Sequence, residues 1–399
     1  MKPLASLAVR SIWNRRGTAT LTVFALAVSV MLLTGVELLR TGAKESFART
    51  ISGTDLIVGA RSGPVNLLLY SVFRIGEPIS NLSWDSYRLV ENHPAVAWTV
   101  PIALGDSHRG YRVLGTSDDY FSHYRYGERR PLEFSEGHAF ADEQDAVLGA
   151  EVAHAFGYSI GTDILLSHGI GEVGFHEHEE HGFHVVGILA PTGTPVDRTV
   201  HVSLEALAEI HGSEEMAGLT AFLVGMKSKD SVLVMQRALN EYRQEALTAV
   251  IPGVALQQLW QVVGVADRAL FLVAALVVLA GLIGMLAMIL ASMGERRREM
   301  AVLRAVGARP VHVFLLLLIE AVLLAATGAV AGILAAHFAL AGAASWLASR
   351  YGMFLSPQGP GLFDLLVAAA VILAAALAGL LPAWLAYRNA LTDGLAVRT

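Results

Sequence analysis

The chain of 399 residues contains no cysteine. That excludes a disulfide framework and thiolate metal sites. It also lacks any Gly-x-x-x-x-Gly-Lys-[Ser/Thr] run, so it carries no backbone cradle for nucleotide phosphates and does not itself hydrolyse ATP. Charged residues make up only 16% of the chain, against about 25% in soluble domains. No nucleophile–base constellation stands out, and no catalytic site is expected.

What the chain has instead is apolar length. It is 54% hydrophobic, and the excess falls in four runs that meet the roughly 20 residues a membrane span needs. These are 17–40, 269–293, 311–340 and 362–387. The first is longer than a typical signal core and lacks a clean small-x-small cleavage site, so it reads as a retained helix. Residues 1–16 read as an amphipathic helix in the membrane interface, with Leu4, Leu7, Ala8 and Ile12 on one face and Trp13 at headgroup depth. Basic residues flank the first run (Lys2, Arg10, Arg15, Arg16), follow the second (294–310) and follow the fourth (Arg388, Arg398). The positive-inside rule places all three flanks, and both termini, in the cytoplasm. The 41–266 insertion and a short 341–361 loop then lie outside, and 388–399 is a cytoplasmic tail.

Charge follows the same division. Residues 41–266 hold 28 acidic and 15 basic side chains, and the remainder holds 7 and 14. An acidic outer domain is joined to a basic inner face, which argues against a nucleic-acid partner. Within the spans, Glu320 and His337 are the costly polar residues. Glu320 is expected to bond to neighbouring helices near the inner leaflet, and His337 to reach the outer interface. The small residues Ala321, Ala325, Gly328, Ala331, Gly332 and Ala335 suit close helix packing or dimerisation.

Between the second and third runs lies a short basic segment, expected to form a helix of its own. It reads Glu295, Arg296, Arg297, Arg298, Glu299, Met300, then Leu303, Arg304, Ala305, Val306, Gly307 and Ala308. Together with the four-span layout, this resembles the permease subunits of the MacB/FtsX-type ABC transporter superfamily, with their Glu-Arg-Arg-x-Glu-[Ile/Met]-x-x-Leu-[Arg/Lys]-Ala-[Leu/Val]-Gly-Ala element. The C-terminal Leu381, Pro382, Ala383, Ala386 and Arg388 match a second element, whereas Ala390 and Leu391 stand where the family often has a proline. The resemblance implies a helical membrane domain with an inserted α+β extracytoplasmic domain, in a bacterial inner membrane. It further implies a dimer, taken as a homodimer, working with separate cytoplasmic ABC ATPase subunits. Glu295, Arg296, Arg297, Arg298, Glu299, Leu303, Arg304 and Gly307 become the expected ATPase-coupling residues. ATP then acts only through the partner.

The insertion alternates strand-like and helical stretches, which suggests α+β. Strands are expected at 54–58, 96–102, 111–115, 183–189, 199–203 and 221–226. Helices are expected at 83–92, 204–211 (Ser203 as N-cap) and 231–246. A distal lobe is placed at about 106–200. The sharpest chemistry is His176, His178, His181 and His184, interleaved with Glu177, Glu179 and Glu180; 12 of 14 histidines fall between His93 and His211. Imidazole is the commonest ligand for zinc, copper and nickel, so this run could hold a zinc ion without cysteine. Read as a solvated polar loop, it has no function. His168 and His201 would join a metal site if the fold brought them near, while the scattered histidines read as surface or satisfied core residues. The leading expectation is a permease subunit of an ATP-driven transporter or mechanotransmission complex linked to zinc handling, with an outside metal-binding or substrate protein as a further partner. Two others remain: extrusion of lipoprotein, lipid or peptide, favoured if Val65, Leu67, Leu68 and Leu69 are exposed, and non-transporting regulation of an outside partner.

Overall fold

The structure is a computed structural model describing residues 2–168, 177–210, 219–351 and 359–392. In chain order it begins α1 (Lys2–Asn14), α2 (Arg16–Thr50), β1 (Leu56–Ala60), α3 (Pro64–Ser71), α4 (Trp84–Glu91), β2 (Val96–His108), β3 (Tyr111–Thr116) and α5 (Asp119–His123). There follow β4 (Arg125–Tyr126), β5 (Arg130–Pro131), β6 (Phe134–Gly137), β7 (Asp145–Leu148), α6 (Ala150–Phe156), β8 (Asp163–His168), β9 (Glu177–Leu189), β10 (Thr199–Ser203) and α7 (Leu204–Ile210). The rest is β11 (Ala221–Met226), α8 (Val232–Asn240), β12 (Leu247–Val250), α9 (Pro252–Ala305), α10 (Pro310–Tyr351) and α11 (Leu362–Thr392). Contacts group these into two units, one drawn from 1–41, 265–345 and 356–399 and the other from 42–264 and 346–355.

The second unit is α+β, as the sequence pattern suggests. Strand β2 belongs to two layers at once. Its first half pairs with β11 in an antiparallel sheet of order β12-β1-β11-β2. Period-2 alternation sorts the faces of that sheet. Leu56, Val58, Phe222 and Val224 pack with Tyr87 and Val90 of α4 and with Val232, Met235 and Leu239 of α8. Ile57, Ala221 and Leu223 share the opposite core with Leu67 and Leu68 of α3 and Ala255 of α9. The second half of β2 pairs with β3, then β10, β7, β9 and β8 in turn, and β8 pairs back onto β2 at Asp106 and Ser107. Six strands thus form a closed ring. Val113, Leu148, Ile164, Leu166, Phe183, Val185, Val200 and Val202 form one buried cluster within this lobe. A ring leaves few unpaired strand edges.

Local signals set many boundaries. The Ser83 side chain accepts from Ser86 N at the start of α4, and the Ser203 hydroxyl accepts from Ala206 N at 3.0 Å at the start of α7. The turn between β9 and β10 is held by Asp197, buried, whose carboxylate accepts from the amides of Thr192 and Gly193. One expected boundary needs correction, and two conditional readings are decided. The 231–246 helix stops at Asn240, because that side chain exchanges hydrogen bonds with the backbone of Ala249 and so ties the helix end to β12. Leu67 and Leu68 are buried, so α3 offers no apolar patch to cargo. His201 is fully buried beside Tyr120 and Phe121, with Nδ1 3.2 Å from Val147 O, and cannot join an exposed metal site.

Among the described residues, helices long and apolar enough to cross a membrane lie at Arg16–Thr50, Pro252–Ser292, Pro310–Ala344 and Leu362–Leu385, and the first unit takes its helices from them. Their common core takes Leu26 and Val30 from α2, Val278, Leu282 and Met285 from α9, Ala325 and Ala329 from α10, and Val371 and Ala375 from α11. The i, i+4, i+7 spacing on α9 is that of one helix face. The helices overrun the apolar runs. α9 starts at Pro252 rather than 269, and α10 extends to Tyr351, through part of the expected loop. Polar helix formers such as Gln257 and Gln258 prolong a helix without raising hydropathy. The small-residue face of α10 is used within the chain. A Cβ on Gly332 would lie 2.5 Å from Ala27 O and one on Gly328 2.8 Å from Leu26 Cβ. Gly332→Ala should therefore cost about 1–3 kcal/mol through overpacking, read as a lower thermal midpoint of the detergent-solubilised protein. Gly342→Ala, on the same helix with open space around it, should be neutral or slightly stabilising. Equal midpoints for the two variants would refute the packing.

His201 carries a second expectation. Burial, reinforced by nearby Arg74, pushes its imidazole down to about 3. Unfolded, it titrates near about 6.5. The unfolded chain therefore takes up a proton that the folded one refuses. Stability is complete above that value and falls as pH drops from it toward 3, by at most about 1.4 kcal/mol per pH unit. Thermal unfolding of the full chain from pH 7 to 4.5 should show this slope, and His201→Leu should flatten it. Identical slopes in both proteins would rule out the assignment.

Candidate functional site

The basic segment is not a separate helix. Residues 293–305 continue α9 without a break, since no proline intervenes between Pro252 and Pro310. The helix ends in a turn where Val306 N donates to Val302 O and Gly307 takes φ +96°. That left-handed conformation favours glycine, and the surrounding space is open, so the torsion alone demands the residue. Pro310 then opens α10, and Arg309 N donates to the ring Nδ1 of His312 at 3.1 Å. Val302 and Val306, one turn apart, are 59% and 84% exposed. The side chains of Glu295, Arg296, Arg297, Arg298, Glu299, Leu303 and Arg304 lie outside the described residues.

His176 also lies outside the described residues. His178 and His181 stand on β9, and their side chains lie outside the described ones. β9 pairs β8 with an irregularity between Leu165 and Ser167, so Leu165 faces Gly182 whereas Ser167 faces Glu177. His184 is described and exposed. It sits opposite Asp163 across the β8–β9 pair, and its Nδ1 contacts the Asp163 carboxylate. Among the described residues no group of three or more His, Asp or Glu is placed to hold a metal ion. His108 is a satisfied core residue: Nδ1 meets Leu165 O at 2.7 Å and Nε2 meets the Tyr158 hydroxyl at 3.0 Å.

Two sets of ionisable side chains sit inside the helical unit. Glu320 on α10 is 4% exposed. His337, near the other end of α10, does not simply reach outward: its Nε2 lies 3.2 Å from Asp364 Oδ2 in the first turn of α11. The same oxygen accepts from Gly361 N at 2.8 Å. Asp364 escaped the sequence reading because an acidic residue in a first helical turn ordinarily just complements the helix dipole. Its signal was its place at the edge of the fourth apolar run.

Comparison with known families matches both halves of the chain. The FtsX-like permease C-terminal model matches residues 271–392, and the MacB-like periplasmic core domain model matches residues 19–242, more than half of the chain. No curated protein matches it. These matches agree with the α+β insertion between the first and second apolar helices and with the glycine-terminated helix before Pro310. The protein is thus a membrane component with a large extracytoplasmic domain, and it belongs to the MacB/FtsX-type ABC transporter permease family.

Proposed function

We propose that this chain is the membrane subunit of an ATP-driven, mechanotransmission-type ABC complex in a bacterial inner membrane. Both termini face the cytoplasm, two copies form a homodimer, and separate ATPase subunits dock on residues 295–308. The observation that carries the reading is the end of α9. A helix that contains the second span continues as the basic segment and stops at a glycine-specific turn with Val302 and Val306 exposed. Displacement of that end by a partner would pass along the helix into the span that it contains. At its other end the same helix begins at Pro252, and Trp260 packs edge-on against Phe47 of α2, which in turn lies 4.4 Å from Phe73.

The ectodomain sets the task, and we favour zinc handling through the β8–β9 hairpin. The motive is chemical. His178, His181 and His184 share one strand, and His184 is exposed beside Asp163. An acidic domain raises the local concentration of divalent cations. Burial of Leu67 and Leu68 weakens the case for lipoprotein, lipid or peptide extrusion. Regulation of an outside partner without transport shares the coupling machinery and differs only in what the ectodomain touches.

Two measurements test these readings. Gly307→Val or Arg304→Glu should reduce stimulation of the partner ATPase by about tenfold, a coupling of ordinary allosteric size, while the full complex still assembles. Full stimulation in both variants would remove the coupling role. Changing His176, His178, His181 and His184 to alanine in the full chain should weaken zinc binding by more than the roughly 100-fold that loss of an outer-shell partner costs. Unchanged zinc affinity would leave the permease reading intact and end the zinc reading.

A further inference from the structure

The strand ladder treats the histidine run unevenly. His184 is paired on both sides of β9, with Asp163 of β8 and with Asp145 of β7, and its amide donates to Gln144 O at 2.8 Å. Beyond Gly182 the β8–β9 register breaks. Leu165 faces Gly182 and Ser167 faces Glu177, so the four residues 178–181 of β9 run past Leu166 alone. Bulges in a ladder re-aim side chains and are over-represented next to active sites. His178 and His181 thus belong to the irregular stretch and His184 to the fixed one. Resting on the zinc reading above, we propose that His184 is the anchoring ligand of that site and that Asp163 is its positioning residue, the carboxylate that keeps the second ring nitrogen of His184 open to the metal.

Hydrogen-bond direction carries the argument. Nδ1 of His184 contacts the Asp163 carboxylate. A carboxylate only accepts, so Nδ1 holds the proton and donates. In the neutral ring Nε2 then keeps a bare lone pair. The His184 side chain is 55% exposed, and among the described residues Nε2 has no partner. Metal-ligating histidines almost always donate their other ring N–H to a carboxylate, a carbonyl or water, which fixes the tautomer and makes the ligating nitrogen more basic. The Asp163–His184 pair has that form. His108 does not, because both its nitrogens are spent, on Leu165 O and on the Tyr158 hydroxyl. Asp145, the other neighbour of His184 across the ladder, is buried and its carboxylate accepts from the amides of Ala141 and Asp142, which leaves Asp163 to hold the ring. An imidazole anchor also selects among cations. It suits zinc and its first-row neighbours, whereas calcium and magnesium require oxygen.

The test is the zinc affinity of the detergent-solubilised full chain, measured by competition with a chromophoric chelator. Asp163→Ala should weaken zinc binding by about 10–100-fold, the cost of losing an outer-shell partner. Asp163→Asn, whose amide oxygen still accepts from Nδ1–H, should recover most of that loss. In a His184→Ala background, Asp163→Ala should cost nothing further, since the carboxylate acts through the ring. Both side chains are exposed, so the thermal midpoint of the zinc-free protein should stay in place. Wild-type affinity in Asp163→Ala would overturn the proposal. Equal losses in Asp163→Ala and Asp163→Asn would overturn it as well, because the carboxylate would then act as a direct ligand or only as a negative charge. So would an undiminished further loss in the His184→Ala background, or a lowered midpoint, which would mark a structural role. Failure of the zinc reading looks different: the wild type and the variant lacking all four histidines would bind zinc alike, and this proposal would fall with it.

Discussion

A backbone that crosses hydrocarbon has to satisfy its own hydrogen bonds, and nearly every large feature of this protein follows from that requirement. The chain crosses as helices, and helices do not end where hydropathy ends. They end where capping groups or special torsions stop them. α2 runs on to Thr50, whose carbonyl accepts from the Tyr124 hydroxyl at 2.5 Å, while Ser52 N and the Arg125 carbonyl close the following bridge. α9 begins at Pro252 and ends before Gly307. The insertion is therefore reached and left through helix, and the basic segment is the final stretch of a membrane helix, not a hinged appendage.

Close packing is the second constraint. Apolar side chains gain little by leaving lipid for other apolar side chains, so helix association depends on how closely the backbones approach. Gly328 and Gly332 admit α2, Gly281 admits Ser29, and Gly379 lies against Ala321. Small-residue spacing looks the same whether it serves a neighbour in the chain or a second copy. Here that face of α10 is occupied by α2 of the same chain. Two sets of ionisable groups in the bundle, Glu320 and the His337–Asp364 pair, lie toward opposite ends of the apolar part of α10. That placement limits the cost of burying them.

The extracytoplasmic unit is organised by one strand. β2 spends its first half in a sheet covered by helices and its second half in a closed ring, which makes its 13 residues the seam between two cores. The ring explains why histidine so near a histidine-rich strand can still be unavailable. His201 and Val147 pair across β10 and β7, and His201 lies in the core with Tyr120 and Phe121. His184, on β9, is exposed beside Asp163. Proximity in composition does not become proximity of side chains unless strand register and face agree.

Much was legible before any coordinates. Apolar run length, the sign of the flanking charges and the Glu299-to-Gly307 pattern are local properties, and they carried the spans, the α+β insertion and the family without long-range information. Strands β3, β10 and β11 and helix α4 were equally plain, because their alternation and caps lie within a few residues. What remained hidden depends on residues far apart in sequence. Closure of the ring needs Asp106 beside His168; the stop at Asn240 needs Ala249; the pairing of His337 needs Asp364. Sequence alone determined which segments are apolar enough to enter a membrane and that a basic segment follows the second of them. Only the tertiary structure decided which polar groups meet, since that is set by the packing of elements whose contacts no local pattern records.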